Sequence, residues 1–304
     1  MLDAVTLGEL LIDFIPREKD LSKYPDFRMN AGGAPANVAV GCSQLELDSG
    51  FIGKVGNDVF GRALRDTLRD KGVDTSSLKL EEEGETRIGI VSVVEGEWYE
   101  YFYGNPFADE LLRKEEIDPD FLDNSKLFHF GTISMIEEPS RSATLRAIEI
   151  AEEKGLTITM DPNFRPDLWS EEGRAKKLVD KVIDKVDILK LNDDEIRFFF
   201  DGEMETTAAE LAEAMDWVLV TLGEDGCYYT DGDESGYTES YEVEEVDETG
   251  GGDAFMSGTI YGYLNDWDIE KTTEFANAAA ALTIQDFGVI PSLPTKEEVL
   301  EFMG

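Results

Sequence analysis

Residues 246–258, VDETGGGDAFMSG, place three consecutive glycines between an acidic segment and an apolar run. Glycine loses more conformational freedom on folding than any other residue, so Gly250, Gly251 and Gly252 directly ahead of Asp253 need a reason to be there. From Asp253 to Leu264 the pattern is helical, Thr249 is the expected N-cap, and the open N–H groups of a helix start suit an anion. With no side chains in the way, the amides of Gly251, Gly252 and Asp253 can approach a phosphate while the Asp253 carboxylate lies beside an attacking hydroxyl. A lone glycine triplet is equally well explained as a hinge. The rest of the chain separates the two readings.

Outward from this stretch, strand and helix signals alternate. Ala4–Gly8, Leu127–Phe130, Leu156–Met160, Ile188–Leu191 and Trp217–Leu222 are short apolar runs that end in polar or glycine residues, with helical patterns between them. One such helix follows Pro139 and runs through Lys154, closed by Gly155. The fold class expected is α/β, a mainly parallel central sheet with helices on both faces, in one domain spanning 1–304. In such a sheet ligands gather outside the carboxyl ends of the strands. Two segments, about 11–29 and 86–103, have a period nearer two, with a turn around Glu95–Gly96. They predict a small antiparallel β lid.

Composition excludes several classes. The chain has 304 residues, and 67 acidic residues against 27 Lys plus Arg give a formal net charge of −40. Nucleic acid needs a basic footprint, so it is not an expected partner. The acids are spread through the chain, as at Glu81–Glu83 and Glu152–Glu153, which predicts an acidic shell and, because salt screens self-repulsion, a salt-rich, halophilic cytoplasm. No apolar run is long enough to cross a membrane, and the N-terminus carries Asp3, Glu9 and Asp13 without a basic leader, so the expected location is cytoplasmic. Cys42 and Cys227 read as buried thiols. His129, the single histidine, lies between Phe128 and Phe130 and reads as a strand residue; no G-x-S-x-G elbow accompanies it. GNDVFGR at 56–62 has two glycines but lacks the lysine of a P-loop. Asn192 and Glu195, taken alone, read as the start of a helix after a strand, and Phe198–Phe200 as core aromatics.

Four motifs in order settle the question left by the glycines. AGGAPANVAVGCSQLE with FIGKVGNDVFG, then KLNDDE, VTLGEDG and VDETGGGDAF, together resemble the PfkB (ribokinase-like) family of sugar kinases over essentially the whole chain. The resemblance implies a ribokinase-like fold and ATP-dependent phosphorylation of a sugar hydroxyl. It assigns Asp253 as catalytic base and Gly250, Gly251 and Gly252 as the anion hole; the family usually has Ala where Gly251 stands. Asp13, Gly32, Gly33 and Asn37 match positions that hold sugar hydroxyls. Asn192 and Glu195 match the N-x-x-E motif that orders Mg²⁺ and its waters, Thr221 and Gly223 border the nucleotide, and Gly252 and Asn277 lie near its adenosine half. A K⁺ ion is implied beside the anion hole, at Asp247 and Thr249, with backbone groups near Thr283, Asp286 and Gly288 and the Ser292 hydroxyl.

Phosphoryl transfer asks the protein mainly to position reactants and to spread negative charge, so in so acidic a chain cations, amides and a helix dipole must supply the compensation. LGELLIDFIP, NPFADELL, LFHFGTIS and DPNFRPDLW look like fructokinases in particular, with Arg165 as a phosphate or substrate contact. Fructokinases commonly have arginine before NP-x-AD, where this chain has Gly104. Fructose, phosphorylated at its 6-hydroxyl, is the expected substrate. The alternatives are 2-keto-3-deoxygluconate, a riboside, or a non-catalytic sugar sensor on the same fold, and a homodimer through the lid is the expected assembly.

Overall fold

The computed structural model describes residues 1–16, 26–94, 97–169 and 171–304. In chain order come β1 (Leu2–Leu7), β2 (Leu11–Pro16), β3 (Phe27–Gly32), the helix Ala34–Gln44, β4 (Ser49–Gly56), the helix Val59–Asp70 and β5 (Leu78–Glu81). Next are β6 (Ile88–Val94), β7 (Glu97–Tyr103), β8 (Ser125–Phe130), the helix Ser140–Lys154, β9 (Thr157–Met160), the helix Glu172–Val182 and β10 (Ile188–Asn192). The remainder holds helices Asp193–Phe199 and Met204–Ala212, then β11 (Trp217–Thr221), β12 (Cys227–Thr230), β13 (Ser235–Thr238) and helices Gly251–Leu264, Ile269–Thr283 and Lys296–Met303.

Nine strands form the central sheet in the order β13-β12-β11-β10-β9-β8-β1-β4-β5. Seven of them run parallel, and β12 and β13 add an antiparallel edge. Neither that edge nor β4, whose eight residues are all buried, is among the strand runs expected from the sequence. Alternation along each strand feeds two cores. Leu189 and Leu191 of β10 pack with Val218 and Val220 of β11 against the helices that contribute Ala147, Val179, Ile196 and Ala208. Ile188 and Leu219 face the other way, onto Val38 and Cys42 of the Ala34 helix and Phe255 and Ile260 of the Gly251 helix. Burial on both faces is what selects a parallel sheet, each fully buried large apolar side chain contributing about 1.5–3 kcal/mol. The helix after Pro139 runs Ser140–Lys154 and ends at Gly155 with φ 69°, the left-handed C-cap expected there.

β2, β3, β6 and β7, the segments expected as the lid, form a second, smaller sheet in the order β3-β2-β6-β7. Its two hairpins are antiparallel, as expected, but β2 and β6 meet in parallel, Ile12 opposite Ile88 and Phe14 opposite Ile90. β3 extends to Gly32, which carries the lid into the start of the Ala34 helix. Residues 17–25 of the expected lid and its turn at Glu95–Gly96 lie outside the described residues. Asp58 ties the root of β6 to the core: its carboxylate caps the Val59 helix through Phe60 N–H and Gly61 N–H and also accepts from Thr86 N–H and the Thr86 hydroxyl, both at 2.9 Å. Cys42 and Cys227 are buried free thiols. Among the described residues no helix is long and apolar enough to cross a membrane.

Candidate active site

The three glycines perform three different tasks. Gly250 is the N-cap of the Gly251 helix, in place of Thr249, because its φ of 86° is left-handed and a Cβ there would lie 2.3 Å from Val289. Thr249 instead donates its N–H to Asp247 Oδ1 at 3.1 Å. At Gly251 a Cβ would stand 3.1 Å from Ile284, a gap that alanine nearly fits. At Gly252 a Cβ would stand 3.0 Å from the Lys190 ammonium. Gly251 N–H bonds Glu248 O at 3.4 Å and Ala254 N–H bonds Gly250 O at 2.9 Å. The amides of Gly252 and Asp253 remain, and helix geometry gives them no partner.

Asp253 stands at the head of that helix, and Asn37 Nδ2 donates to its Oδ2 at 2.8 Å. Burial pushes the Asp253 carboxyl up to about 6; Asn37, Lys190 and Arg165 pull it down, and Asp161 pushes it further up. A base in this range is ionised at neutral pH yet keeps a useful proton affinity. Beneath it is a recess lined by Glu9, Pro35, His129, Thr132, Asp161, Asn163 and Asp253. Glu9, at the end of β1, accepts from Ala34 N–H at 2.9 Å, and burial pushes its carboxyl up to about 7. His129 is a buried strand residue as expected, 3.0 Å from the Thr159 hydroxyl, and burial lowers it to about 4.

On the lid side, Asp13 of β2 lies opposite Asn30 of β3. Gly32 is pressed against the Asp13 carboxylate, where a Cβ would stand 2.4 Å from Oδ2. Gly33 turns the chain into the Ala34 helix at φ 109°, and a Cβ would meet Glu9 O at 2.3 Å. Asn37 is buried, and its Oδ1 has no hydrogen-bond partner among the described residues. Asp13 thus lies against Gly32, Gly33 leads into the helix that carries Asn37, and Asn37 reaches Asp253. Gly104 has φ 131°. The cation beside Asp109 of the NPFAD segment is Arg87, at the root of β6: it is buried, reaches Asp109 at 2.8 Å and lies 3.9 Å over the Phe107 ring.

On the opposite side, Asn192 and Glu195 form a capping box. Asn192 Oδ1 accepts from Glu195 N–H at 2.8 Å, and Glu195 Oε2 accepts from Asn192 N–H at 2.9 Å. Glu195 Oε1 accepts from Phe164 N–H at 2.7 Å, which secures the DPNFRP loop. The helix-start reading thus describes the local geometry. It uses one lone pair on each of these oxygens and leaves a second for a further donor such as water. Burial, and then Asp161, raises the Glu195 carboxyl. Arg165 is exposed on that loop, and its charge is felt at Asp253. Thr221 ends β11, its hydroxyl 3.3 Å from Leu191 O, and Gly223 follows at φ 62°. Asn277 binds the end of β13 through Thr238 Oγ1 at 3.1 Å and Glu239 O at 3.2 Å.

The proposed K⁺ residues fall into two loops that Asp247 joins. Its Oδ1 takes Thr249 N–H, its Oδ2 takes Gly288 N–H at 3.1 Å, and its own N–H bonds Ile284 O. Ser292 Oγ donates to Gly288 O at 2.6 Å and the Thr283 hydroxyl to Ala279 O at 2.9 Å, while the Asp286 side chain is exposed. Carbonyls and a carboxylate in turns make a hard oxygen donor set of the kind a monovalent ion takes. Among the described residues no cluster of three His, Cys, Asp or Glu suits a metal ion.

Sequence reasoning missed Glu9, Asp161 and Lys190 as members of the site. Lys190 Nζ bonds Asp161 Oδ2 at 2.8 Å, and both side chains are buried. Burial alone would lower the Lys190 pKa, but Asp161, Glu195 and Asp253 together hold it above the usual lysine value. The one available signal was a lysine inside an otherwise apolar strand, ILKLN.

Three comparisons with known proteins bear on the chain as a whole. Residues 1–296 match the model of the pfkB family of carbohydrate kinases. The chain is 38% identical to probable fructokinase-2 of Arabidopsis thaliana, over 98% of this chain and 95% of that one, and 39% identical to fructokinase-1 of rice, Oryza sativa subsp. japonica, over 98% and 97%. It superposes on a crystal structure of fructokinase with bound ATP from Xylella fastidiosa with TM-score 0.90 at 27% identity, covering 100% of this chain and 98% of that one. A fructokinase double mutant from Vibrio cholerae O395, in its fructose, ADP and potassium ion bound form, gives 0.89 at 30% identity, covering 100% and 99%. With the family model matched over residues 1–296 and relatives at 38% and 39% identity along 98% of its length, the chain belongs to the pfkB family of carbohydrate kinases.

Proposed function

We propose that this chain transfers the γ-phosphoryl group of ATP to D-fructose, at the 6-hydroxyl. The observation that carries the reading is Asp253: a carboxyl raised to about 6, held by Asn37 at 2.8 Å, at the start of a helix whose first residues are glycine. Asp253 takes the proton of the sugar hydroxyl as its oxygen attacks phosphorus, and the amides of Gly252 and Asp253 stabilise the charge that gathers on the transferred oxygens. Asp13 and Asn37 hold the sugar, with the unpartnered Asn37 Oδ1 accepting from a hydroxyl. Asn192 and Glu195 would hold Mg²⁺ through water, an ion that would supply neutralisation of phosphate charge. Thr221, Gly223 and Asn277 border the nucleotide, and Arg165 overhangs the phosphates. Asp247 and Thr249, with the 283–288 turn and Ser292, would hold K⁺, and so would keep the glycine turn in shape.

The setting follows the same reading. A charge of −40 is best tolerated in a salt-rich cytoplasm, where the Debye length is short. Phe27, Met29, Tyr101 and Tyr103, between 42% and 57% exposed on the outer lid strands, favour a homodimer through the lid. The deciding experiment measures ATP turnover on fructose, 2-keto-3-deoxygluconate, ribose and adenosine. Highest kcat/KM on fructose is expected; preference for another sugar would overturn the substrate, and no turnover on any would favour a sensor.

A further inference from the structure

We propose that Lys190 is a catalytic residue, the ammonium that contacts the transferred phosphoryl group from the floor of the site, and that Asp161 positions it. The proposal rests on the kinase reading above. β10 places Lys190 on the sheet face that meets the Gly251 helix, between Ile188 and the strand end at Asn192. Its Nζ stands 3.0 Å from where a Cβ of Gly252 would be, so the space glycine leaves open at the second position of that helix is bordered by a charged donor. Asp161, directly after β9, fixes the ammonium at 2.8 Å and takes one of its three N–H groups.

A structural ion pair is a weak explanation. Burying two charges gives up several kcal/mol of hydration per ion, and a well-packed apolar pair is often as stable. The neighbouring side chains of β10, Ile188, Leu189 and Leu191, are apolar and fully buried, so an apolar residue would fit the strand. Asp253 and Glu195 add two further carboxylates around the one ammonium. Such a surplus of negative charge would repel a nucleotide's phosphates unless a cation faced them. In the reaction the sugar oxygen bonds to phosphorus, the bond from phosphorus to the bridging oxygen of ADP breaks, and the hydroxyl proton passes to Asp253. Lys190 donates a hydrogen bond to a non-bridging oxygen throughout and exchanges no proton.

The test compares wild type with Lys190→Met, and with Lys190→Met/Asp161→Asn, which removes the orphaned carboxylate if the single variant folds poorly. Two quantities are read: the Kd of Mg-ADP alone, and the Kd of Mg-ADP with sugar, aluminium and fluoride, which mimic the group in flight. In at least one variant, affinity for Mg-ADP alone should stay within about threefold of wild type, while the tightening by fluoroaluminate falls on the order of 10²-fold and kcat falls by about 10²–10³. Undiminished fluoroaluminate tightening in a folded variant, or an equal loss of affinity for Mg-ADP alone, would overturn the proposal. A wild-type enzyme that prefers another sugar corrects the substrate, and the comparison is then made with that sugar. A wild type without any turnover refutes the kinase reading itself, and this proposal with it.

Discussion

Replacing Asp253 by asparagine should remove activity and add stability in one step. The carboxyl is held at about 6 against an ordinary 3.8, with burial as the first cause, so the folded chain binds this proton more tightly than the unfolded chain does. Protonation therefore favours folding: this contribution is full below about pH 3.8 and is lost as pH rises through about 6. At about 1.36 kcal/mol per pK unit, the ionised carboxylate opposes folding by about 3 kcal/mol at pH 8 and by about 2 kcal/mol at pH 5.5. Asparagine has the same shape, is neutral, and can turn its oxygen toward Asn37 Nδ2, which preserves the 2.8 Å bond. Asp253→Asn should thus exceed wild type in stability by up to these amounts, with a margin that shrinks as the pH falls, while turnover drops roughly 10²–10⁴-fold. Urea unfolding followed by the fluorescence of the four tryptophans, at pH 8 and 5.5 and constant ionic strength, measures the first effect. A variant less stable than wild type at pH 8, or a margin that does not shrink, would refute the burial argument. Near-normal turnover would remove Asp253 as the base.

Two further outcomes are expected. Gly252→Val places its Cβ about 3 Å from the Lys190 ammonium and its methyls in the phosphate's path, so turnover should fall at least about 10²-fold while fructose affinity changes only a few-fold; unchanged turnover would return the glycines to the role of a hinge. Melting temperature should rise with either KCl or choline chloride as the Debye length shrinks from about 30 Å at 0.01 M to about 3 Å at 1 M, and turnover at saturating Mg-ATP and fructose should rise further in KCl. Equal turnover in the two salts counts against the K⁺ site at Asp247, and a flat melting temperature against the acidic shell.

What the sequence made legible was local. The strand runs, the helix from Ser140 to Lys154, both halves of the lid and the glycine-led helix all depend on period, turn chemistry and entropy over a few residues. The motif residues could likewise be placed, because each motif is contiguous. The residues that escaped are brought together only by the folded sheet: Asp161 follows β9, Lys190 lies in β10 and the helix they meet starts at Gly251, some sixty residues later, and nothing local tells a buried lysine from one at a strand's exposed edge. Thr249 was expected as N-cap from its side chain, but the left-handed turn at this point outweighs the hydroxyl's hydrogen bond and selects Gly250. The parallel seam of the lid was hidden for the same reason, since β2 and β6 lie far apart in sequence.

That seam has a mechanical consequence. Each lid hairpin is a two-stranded ribbon, which by itself is marginally stable in water, and only the join of Ile12, Asp13 and Phe14 to Ile88, Gly89 and Ile90 makes a four-stranded plate. Parting the join would leave two frail ribbons, so any displacement of one strand would be carried to all four, with Asp58 gripping Thr86 where the plate meets the core. Asp13 sits on the join itself. A load applied at Asp13 would therefore fall on the seam and be shared by both ribbons.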